Sequence, residues 1–283
     1  MLAVIAQPEI GEALQKSFQR HAGEMTQELL YDKRGDIGWI TFNRPAQRNA
    51  LTFAMYEGLA ETCGRIAGTG EVKALVITGA GDKAFAAGTD IAQFQEFKGG
   101  EDGIAYERKM DRILDAIERC PVPTIAAIAG FCTGGGAAIA AVCDLRIAAA
   151  NAQFGFPIAR TLGNCLSMAN YARLAALIGP QRVKEMLLLA RMMDGPTARD
   201  VGLVSELLPD TTALHARAAE LAQTVAGHAP ITLRVTKEAL RRLQARLGDE
   251  NIDDLIRLAY GSADFREGMA AFLGKRAPKW TGL

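Results

Sequence analysis

Three consecutive glycines stand where an apolar, strand-like segment meets a helix-like run of small residues. The segment reads PTIAAIAGFCTGGGAAIAAVCDL, and the triplet is Gly134, Gly135 and Gly136. Without Cβ atoms, the backbone can turn sharply here and approach a ligand closely. A helix that begins at this point has unpaired N–H groups and a partial positive charge at its N-terminus. The pattern suits a site for a developing oxyanion, although a turn that only packs a helix against a strand has the same sequence signature.

A second loop combines small and polar residues after a strand-like run. It reads DKAFAAGTDIAQF from Asp82 to Phe94 and follows the apolar run Val72–Thr78. A third block, ITFNRPAQRNAL, begins at Ile40, and a fourth, SADFREGMAAFLGKRAPKWTG, begins at Ser262. Together with the glycine triplet, these blocks resemble in order and spacing the crotonase family, the enoyl-CoA hydratase/isomerase superfamily. The resemblance extends over Glu28–Gly282, nearly the whole chain.

The resemblance implies how a thioester carbonyl is held. In the family, two backbone N–H groups stabilise the enolate that forms as charge moves onto the thioester oxygen. On this chain the matching donors are Thr89 and Gly135. The positions that match coenzyme A contacts of the family are Gln47, Arg48, Ala87, Asp90, Ile91, Lys275 and Arg276. Two alternatives stay open, an ordinary exposed arginine at Arg48 and a solvated helix end at Lys275 and Arg276.

The chain departs from the family at the two glutamates that position and deprotonate the added water in hydratases. The first position, two residues after the glycine triplet, is Ala138. The second, after the FGFP turn, falls on Ile158 or, with a one-residue insertion, on Ala159. None of these side chains accepts a proton. A positioned acid or base contributes roughly 10²–10⁴ in rate, so we expect slow hydration by the two-glutamate mechanism.

The polar side chains near these positions allow several interpretations. Arg160 is suited to hold a substrate carboxylate, as in a decarboxylase, and equally to pair with an acid within the fold. Cys165 has no histidine near it in sequence, so we interpret it as an inert thiol. A displaced base is available between Phe94 and Asp111, where the sequence does not rank the acids Glu96, Glu101, Asp102, Glu107 and Asp111.

The resulting hypothesis is a lyase or isomerase of the enoyl-CoA hydratase family that acts on an acyl-CoA thioester through an enolate and lacks both usual glutamates. A decarboxylase or thioester hydrolase of the same family is an alternative, and so is a non-catalytic acyl-CoA binding protein. We expect no cofactor other than coenzyme A as part of the substrate. The resemblance also implies a homotrimer or a dimer of trimers. The apolar stripe Met269, Phe272 and Leu273 suits such an interface, or it covers the chain's own core.

The elements that must position these residues follow from periodicity and turn signals. The predicted strands are Glu28–Tyr31, Ile37–Phe42, Val72–Thr78, Thr124–Ile128, Leu145–Ala148 and Ala152–Phe154, and the predicted helices among them are Leu51–Ala67 and Ala105–Arg119. From Asn170 onward we predict an almost entirely helical chain. The resemblance implies an α/β spiral of repeated ββα units with a C-terminal helical trimerisation region. We therefore divide the chain into an N-terminal extension (1–26), a spiral core (27–210) and a helical region (211–283).

Composition limits the class of protein. The 283 residues are 49% apolar and 23% charged, which is ordinary for a soluble globular protein. Thirty-two basic residues balance 32 acidic ones, so charge favours neither a nucleic acid nor an anionic membrane as partner. No apolar run approaches the ~20 residues that span a bilayer. Five cysteines without C-x-x-C spacing predict neither a disulfide framework nor a metal site, and we expect a cytoplasmic location.

Overall fold

A computed structural model of the protein describes residues 27–282, apart from the side chains of residues 67–69. The predicted extension 1–26 therefore lies outside the described residues. The strands are β1 (Leu29–Arg34), β2 (Ile37–Phe42), β3 (Ala74–Gly79), β4 (Ala84–Ala86), β5 (Thr124–Ile128), β6 (Phe131–Thr133), β7 (Leu145–Ala149), β8 (Gln153–Gly155), β9 (Met193–Asp194) and β10 (Glu206–Leu208). The helices are α1 (Phe53–Thr69), α2 (Gly100–Glu118), α3 (Gly135–Val142), α4 (Ile158–Thr161), α5 (Met168–Leu188), α6 (Gly195–Asp200), α7 (Thr211–Ala226), α8 (Pro230–Ala245), α9 (Asp253–Gly261) and α10 (Ala263–Leu273).

These strands form two sheets. The larger sheet has the order β1-β2-β3-β5-β7-β10, in which β1 and β2 are antiparallel and the other neighbours are parallel. The smaller sheet has the order β4-β6-β8-β9, in which β8 and β9 are antiparallel. Parallel strands that are covered on both faces have near-continuous apolar sequences. The sequence ALVITG of β3 is an example, and all six of its residues are buried.

Helices cover both faces of the larger sheet. On one face, α7 packs Leu214, Ala218 and Ala222 against a cluster that includes Trp39 and Val76. The four-residue spacing places these three side chains on one side of the helix. On the other face, α1, α2 and α3 pack on the alternate residues of the same strands. Helix α7 opens the predicted C-terminal region yet packs on the core sheet, and the division at residue 210 stays a prediction.

Helix α9 packs closely along α2 because two glycines on α2 leave room for it. A Cβ atom on Gly103 would collide with the ring of Tyr260, and one on Gly100 would collide with Arg257. Tyr260 and Phe265 then join Phe94 and Ile104 in a third buried cluster. This packing brings the C-terminal helices against the N-terminal half of α2.

Several element boundaries differ from the sequence predictions. Helix α2 was predicted from Ala105 but begins at Gly100, because the Asp102 carboxylate accepts hydrogen bonds from the N–H groups of Lys98 and Gly99. The prediction of an almost entirely helical chain after Asn170 is wrong at β9 and β10, which pair with β8 and β7. The strands β4 and β6 were not predicted. All four strands have only two or three residues, too few to show a period.

Candidate active site

A cavity of about 550 Å³ lies where the smaller sheet, α2 and the C-terminal helices meet. Its wall combines the loop after β4, the N-terminus of α3, one face of α2, α4 with the segment after it, and the end of α10. The sequence-predicted residues in this wall are Gln47, Arg48, Ala87, Thr89, Asp90, Ile91, Gly135, Ala138, Ile158 and Arg160. Of the other predicted residues, Lys275 and Arg276 do not line the cavity within the described chain.

Glycines bring the loop that follows β4 into contact with the N-terminus of α3. This loop, residues 87–90, is called the Thr89 loop. Gly88 and Gly134 have φ angles of 104° and 52°, which disfavour any side chain. A Cβ atom on Gly134 would lie at contact distance, 3.5 Å, from the Gly88 Cα, so the two backbones are close neighbours. A Cβ atom on Gly136 would collide with the carbonyl oxygen of Ala86. The glycines therefore permit a close backbone approach at this point in the cavity wall.

The N–H groups of Thr89 and Gly135 are not used by the neighbouring regular structure. In the parallel bridge between Leu51 and Thr89, the Leu51 N–H donates to Gly88 O and the Asp90 N–H donates to Leu51 O. The Thr89 N–H between them takes no part in that bridge. Gly135 is the first residue of α3 and has no acceptor within the helix. Both donors belong to residues of the same cavity wall.

The block FNRPAQRNAL holds the Thr89 loop in place. Arg44 lies 3.0 Å from the Asp90 carboxylate and donates to the Ala50 carbonyl oxygen at 2.6 Å. Asn49 is fully buried, donates to the carbonyl oxygens of Ala80 and Ala84, and accepts from the Arg44 N–H. Asp90, predicted as a coenzyme A contact, is thus also an anchor of the loop.

A chain of three hydroxyl groups lies beside the Thr89 loop. The Thr89 hydroxyl shares hydrogen bonds with Tyr56 at 2.9 Å and with Tyr106 at 3.0 Å. A Cβ atom on Gly135 would collide with the Tyr56 hydroxyl, so that hydroxyl reaches the start of α3. The sequence did not predict these hydrogen bonds, because neither tyrosine belongs to a block with a recognisable spacing.

The two positions that the sequence analysis matched to the hydratase glutamates are apolar in this cavity wall. Ala138 lies one turn into α3, and Ile158 begins α4. Of the five acids between Phe94 and Asp111 that were candidates for a displaced base, four do not line the cavity. Glu101 pairs with Arg257, Asp102 caps α2, the Asp111 carboxylate accepts from the Ser167 hydroxyl, and Glu96 is exposed. The fifth, Glu107, lines the cavity.

Glu107 is a buried acid with two hydrogen-bond donors. The Tyr260 hydroxyl donates to one carboxylate oxygen at 2.6 Å, and the Ser167 N–H donates to the other at 3.1 Å. Burial raises the pKa of this carboxyl group to about 8, and the nearby Asp111 charge acts in the same direction. The two donors oppose that rise in the pKa.

Arg160 presents a charged group at the cavity, whereas Cys165 presents a protonated thiol. Arg160 is exposed at the cavity, and its guanidinium group has no ion-pair partner among residues 27–282. The interpretation that it pairs with an acid of the fold is therefore wrong within the described chain. Burial raises the pKa of the Cys165 thiol to about 12, so the thiol is protonated at neutral pH. This supports the interpretation of Cys165 as inert.

The basic residues predicted to contact coenzyme A occupy two regions. Arg48 lies in the cavity wall with its guanidinium carbon 5.1 Å from the centroid of the Phe131 ring. Arg276 forms an ion pair with Glu267 on the surface just beyond α10. Phe272 and Leu273 of that helix reach the cavity. Whether Lys275 and Arg276 meet a coenzyme A phosphate stays a prediction.

Two further features of residues 27–282 bear on the class of protein. Across that range, no group of three or more His, Cys, Asp or Glu side chains is arranged to hold a metal ion. None of the helices described there is both long and apolar enough to cross a membrane. The five cysteines are all free, and four of them are buried.

Comparison with known proteins relates this cavity to a family. The family model of enoyl-CoA hydratase/isomerase matches residues 32–283. A short-chain-enoyl-CoA hydratase of Clostridium acetobutylicum is 32% identical over 256 residues, which are 88% of this chain and 95% of that protein.

Two solved structures have a similar fold. An enoyl-CoA hydratase/carnithine racemase from Magnetospirillum magneticum matches with a TM-score of 0.73 and 34% identity, over 90% of this chain and 96% of the other. A methylmalonyl-CoA decarboxylase in complex with 2-nitronate-propionyl-CoA matches with a TM-score of 0.81 and 27% identity, over 91% and 99%. The spiral α/β fold predicted from the sequence blocks is thereby confirmed, and the helices after residue 210 are present.

Proposed function

The chain belongs to the enoyl-CoA hydratase/isomerase family, and we propose that it acts on an acyl-CoA thioester through an enolate. One observation carries this proposal. The Thr89 loop and the N-terminus of α3 meet in one cavity wall. The Thr89 N–H group takes no part in the β-bridge with Leu51, and the Gly135 N–H group has no acceptor within α3.

The chemistry follows from these two donors. The thioester carbonyl oxygen accepts hydrogen bonds from the N–H groups of Thr89 and Gly135, and the charge of the enolate develops on that oxygen. A preorganised donor of this kind stabilises the transition state by roughly 3–4 kcal/mol. The positive end of α3 acts in the same direction. Because both donors belong to the backbone, a threonine at position 89 is compatible with this role.

Hydration by two glutamates is not the reaction that the cavity favours, since Ala138 and Ile158 are apolar. Decarboxylation of a substrate with a second carboxylate is the alternative that a specific observation supports. The guanidinium group of Arg160 at the cavity, which has no ion-pair partner in residues 27–282, would hold that carboxylate. A methylmalonyl-CoA decarboxylase is also among the proteins of similar fold. Thioester hydrolysis has no comparable support from a particular residue.

Coenzyme A would enter along Gln47, Arg48, Ala87, Asp90 and Ile91, which all line the cavity. Lys275 and Arg276 would contact a phosphate of coenzyme A from a neighbouring subunit of a trimer or dimer of trimers. The five free thiols suit a reducing compartment, and we place the protein's action in the cytoplasm.

The test of the proposal follows the enone absorbance of crotonyl-CoA in the wild type and three variants. We expect wild-type hydration at least ~10²-fold slower than in a relative with both glutamates. Gly135→Pro removes one backbone donor and distorts the turn, so it should abolish turnover more completely than Arg160→Ala or Cys165→Ala. The donor acts on every thioester, whereas each of those side chains serves one version of the reaction.

Three outcomes would contradict parts of this proposal. Rapid hydration by the wild type would show that the interpretation of Ala138 and Ile158 is wrong. Calorimetric titration with an acyl-CoA and with its free acid gives the second check. Equal affinity for the two would remove the thioester assignment, and tight acyl-CoA binding without turnover of any acyl-CoA would indicate a binding protein.

A further inference from the structure

Glu107 is a buried carboxyl group in a cavity that lacks carboxylates at both positions used by family hydratases. Its side chain is 4% exposed and belongs to the same cavity wall as Gly135 and Ala138. Met110 and Leu114, which follow at helical spacing on α2, line the cavity too. The face of α2 that carries Glu107 is therefore directed at the reaction space, next to the start of α3.

The surroundings of Glu107 fix its position and leave it capacity for a substrate. Its two oxygens accept one hydrogen bond each, from Tyr260 and from the Ser167 N–H. An ionised carboxylate has about four acceptor sites, so further hydrogen bonds remain possible. Asn164 donates to the Tyr260 hydroxyl at 3.2 Å, and its buried Oδ1 atom has no hydrogen-bond partner in residues 27–282. Asn164 also lines the cavity.

We propose that Glu107 is the catalytic base of the enolate reaction and takes the proton from the substrate carbon, a different task from the activation of water by the two family carboxylates. This inference rests on the proposed function. The Glu107 carboxylate takes a proton from the carbon next to the thioester carbonyl. The C–H electron pair becomes the enolate double bond, and the carbonyl π pair moves onto the oxygen held by Thr89 and Gly135. Return of the proton from Glu107 to carbon restores the thioester.

The titration of Glu107 is compatible with that role. Desolvation raises its pKa to about 8, so a usable fraction is ionised near neutral pH, where a general base is most effective. The other titratable groups that face it come from several elements: Tyr56 on α1, Tyr106 and Asp111 on α2, Cys165 in the segment after α4, Tyr171 on α5 and Tyr260 on α9. Of these groups, Asp111 raises the pKa of Glu107 and the Tyr260 hydrogen bond lowers it.

A structural role is the competing explanation, because Glu107 connects α2 with Tyr260 on α9 and with the residue that caps α5. A connection of this kind affects stability, but it does not make the reaction rate depend on the ionisation of Glu107. The pH dependence of the rate therefore separates the two roles.

The experiment measures exchange of the α-protons of butyryl-CoA in D2O by mass spectrometry, across the pH range on either side of 8. The wild-type rate should rise with pH and level off above about 8. Glu107→Gln should reduce exchange by at least ~10²-fold, the lower end for loss of a positioned base. Tyr260→Phe should move the midpoint of the pH profile upward, and Asp111→Asn should move it downward. Circular dichroism and calorimetric acyl-CoA titration establish that each variant is folded and binds.

The outcomes separate this inference from the function on which it rests. Wild-type exchange that persists in Glu107→Gln with an unchanged pH profile overturns the role of Glu107 alone. Absence of exchange in the wild type overturns the enolate proposal, and the base with it. If Glu107→Gln does not fold, the midpoints of the other two variants decide. Shifts in opposite directions support Glu107 as the base, and two unshifted profiles overturn it.

Discussion

At the scale of single residues, the protonation of Glu107 in the cavity wall affects the free energy of unfolding. A glutamate has an ordinary pKa of 4.5, and burial raises the pKa of Glu107 to about 8 in the folded protein. Between these two values the folded state keeps a proton that the unfolded state releases. The contribution of Glu107 to the free energy of unfolding is therefore largest below pH 4.5 and falls as the pH rises through 8, by about 1.4 kcal/mol per pH unit.

We predict that Glu107→Gln removes this part of the pH dependence. Thermal unfolding of the wild type and the variant, followed between pH 4.5 and pH 8, should show the wild type losing stability relative to the variant as the pH rises. The matched control is Glu101→Gln, which changes an exposed glutamate on the same helix that pairs with Arg257. If the Glu107→Gln curve runs parallel to that of the wild type, the carboxyl group is already ionised well below pH 8 in the folded protein.

At the scale of elements, the Thr89 loop depends on a buried asparagine outside the reaction space. Asn49 is 0% exposed, has a φ of 54° and makes side-chain hydrogen bonds to three backbone groups. An asparagine tolerates this left-handed conformation better than an alanine. Loss of the amide would leave the carbonyl oxygens of Ala80 and Ala84 and the N–H of Arg44 without that partner.

We predict that Asn49→Ala lowers the free energy of unfolding by about 3 kcal/mol, since each lost hydrogen bond costs about 1 kcal/mol. Asn43→Ala, which removes one hydrogen bond to the Gln27 carbonyl oxygen near the surface, should cost about 1 kcal/mol. Denaturant unfolding of both variants measures the difference. Equal losses would show that the Asn49 contacts contribute no more to stability than an ordinary surface hydrogen bond.

The parts of the site that could be predicted from sequence are those marked by glycines or by continuous apolar runs. Gly88 and Gly134 adopt positive φ and lie in close backbone contact, so the two loops carry a glycine signature that a sequence shows directly. The apolar strands of the larger sheet are also visible as continuous runs. By contrast, Glu107 was one of five acids on a single segment, and no pattern distinguished it.

Tertiary packing determines that Glu107, and not one of the other four acids, lines the cavity. The rotation of α2 turns it towards the cavity, and the contact of α9 with Gly103 places the Tyr260 hydroxyl on its carboxylate. Tyr56 and Tyr106 become neighbours of Thr89 in the same way, across three separate elements. These are contacts between distant segments, so periodicity and spacing within one segment do not report them.

At the scale of the whole molecule, the cavity draws on both sides of the predicted division at residue 210. The Thr89 loop, α2 and α3 come from the core, whereas Phe272 and Leu273 in the cavity wall come from α10. Tyr260, on α9, supplies a hydrogen bond to the core residue Glu107. The C-terminal helices are therefore part of the site, and a truncation after residue 210 would expose the reaction space.

Helix α8 carries exposed apolar side chains that suit contact between subunits. Ile231 and Val235 lie one turn apart on the helix, Leu243 follows further along it, and Leu247 lies just after its end; all four side chains are exposed. None of the residues of this helix is buried in the described chain. Exposed apolar side chains grouped on one helix are typical of a protein–protein interface.

We predict that the protein is a trimer or a dimer of trimers and that α8 contributes to the interface. Leu243, which is 63% exposed in the single chain, would become buried on assembly. Leu243→Glu would then bury a carboxylate without a partner, which disfavours assembly. Light scattering at micromolar concentration should give three or six copies for the wild type and a smaller species for the variant. Leu30→Glu, at an exposed leucine on the edge strand β1, is the matched control and should assemble as the wild type does. A stable wild-type monomer would contradict the prediction, and an unchanged mass for Leu243→Glu would remove α8 from the interface.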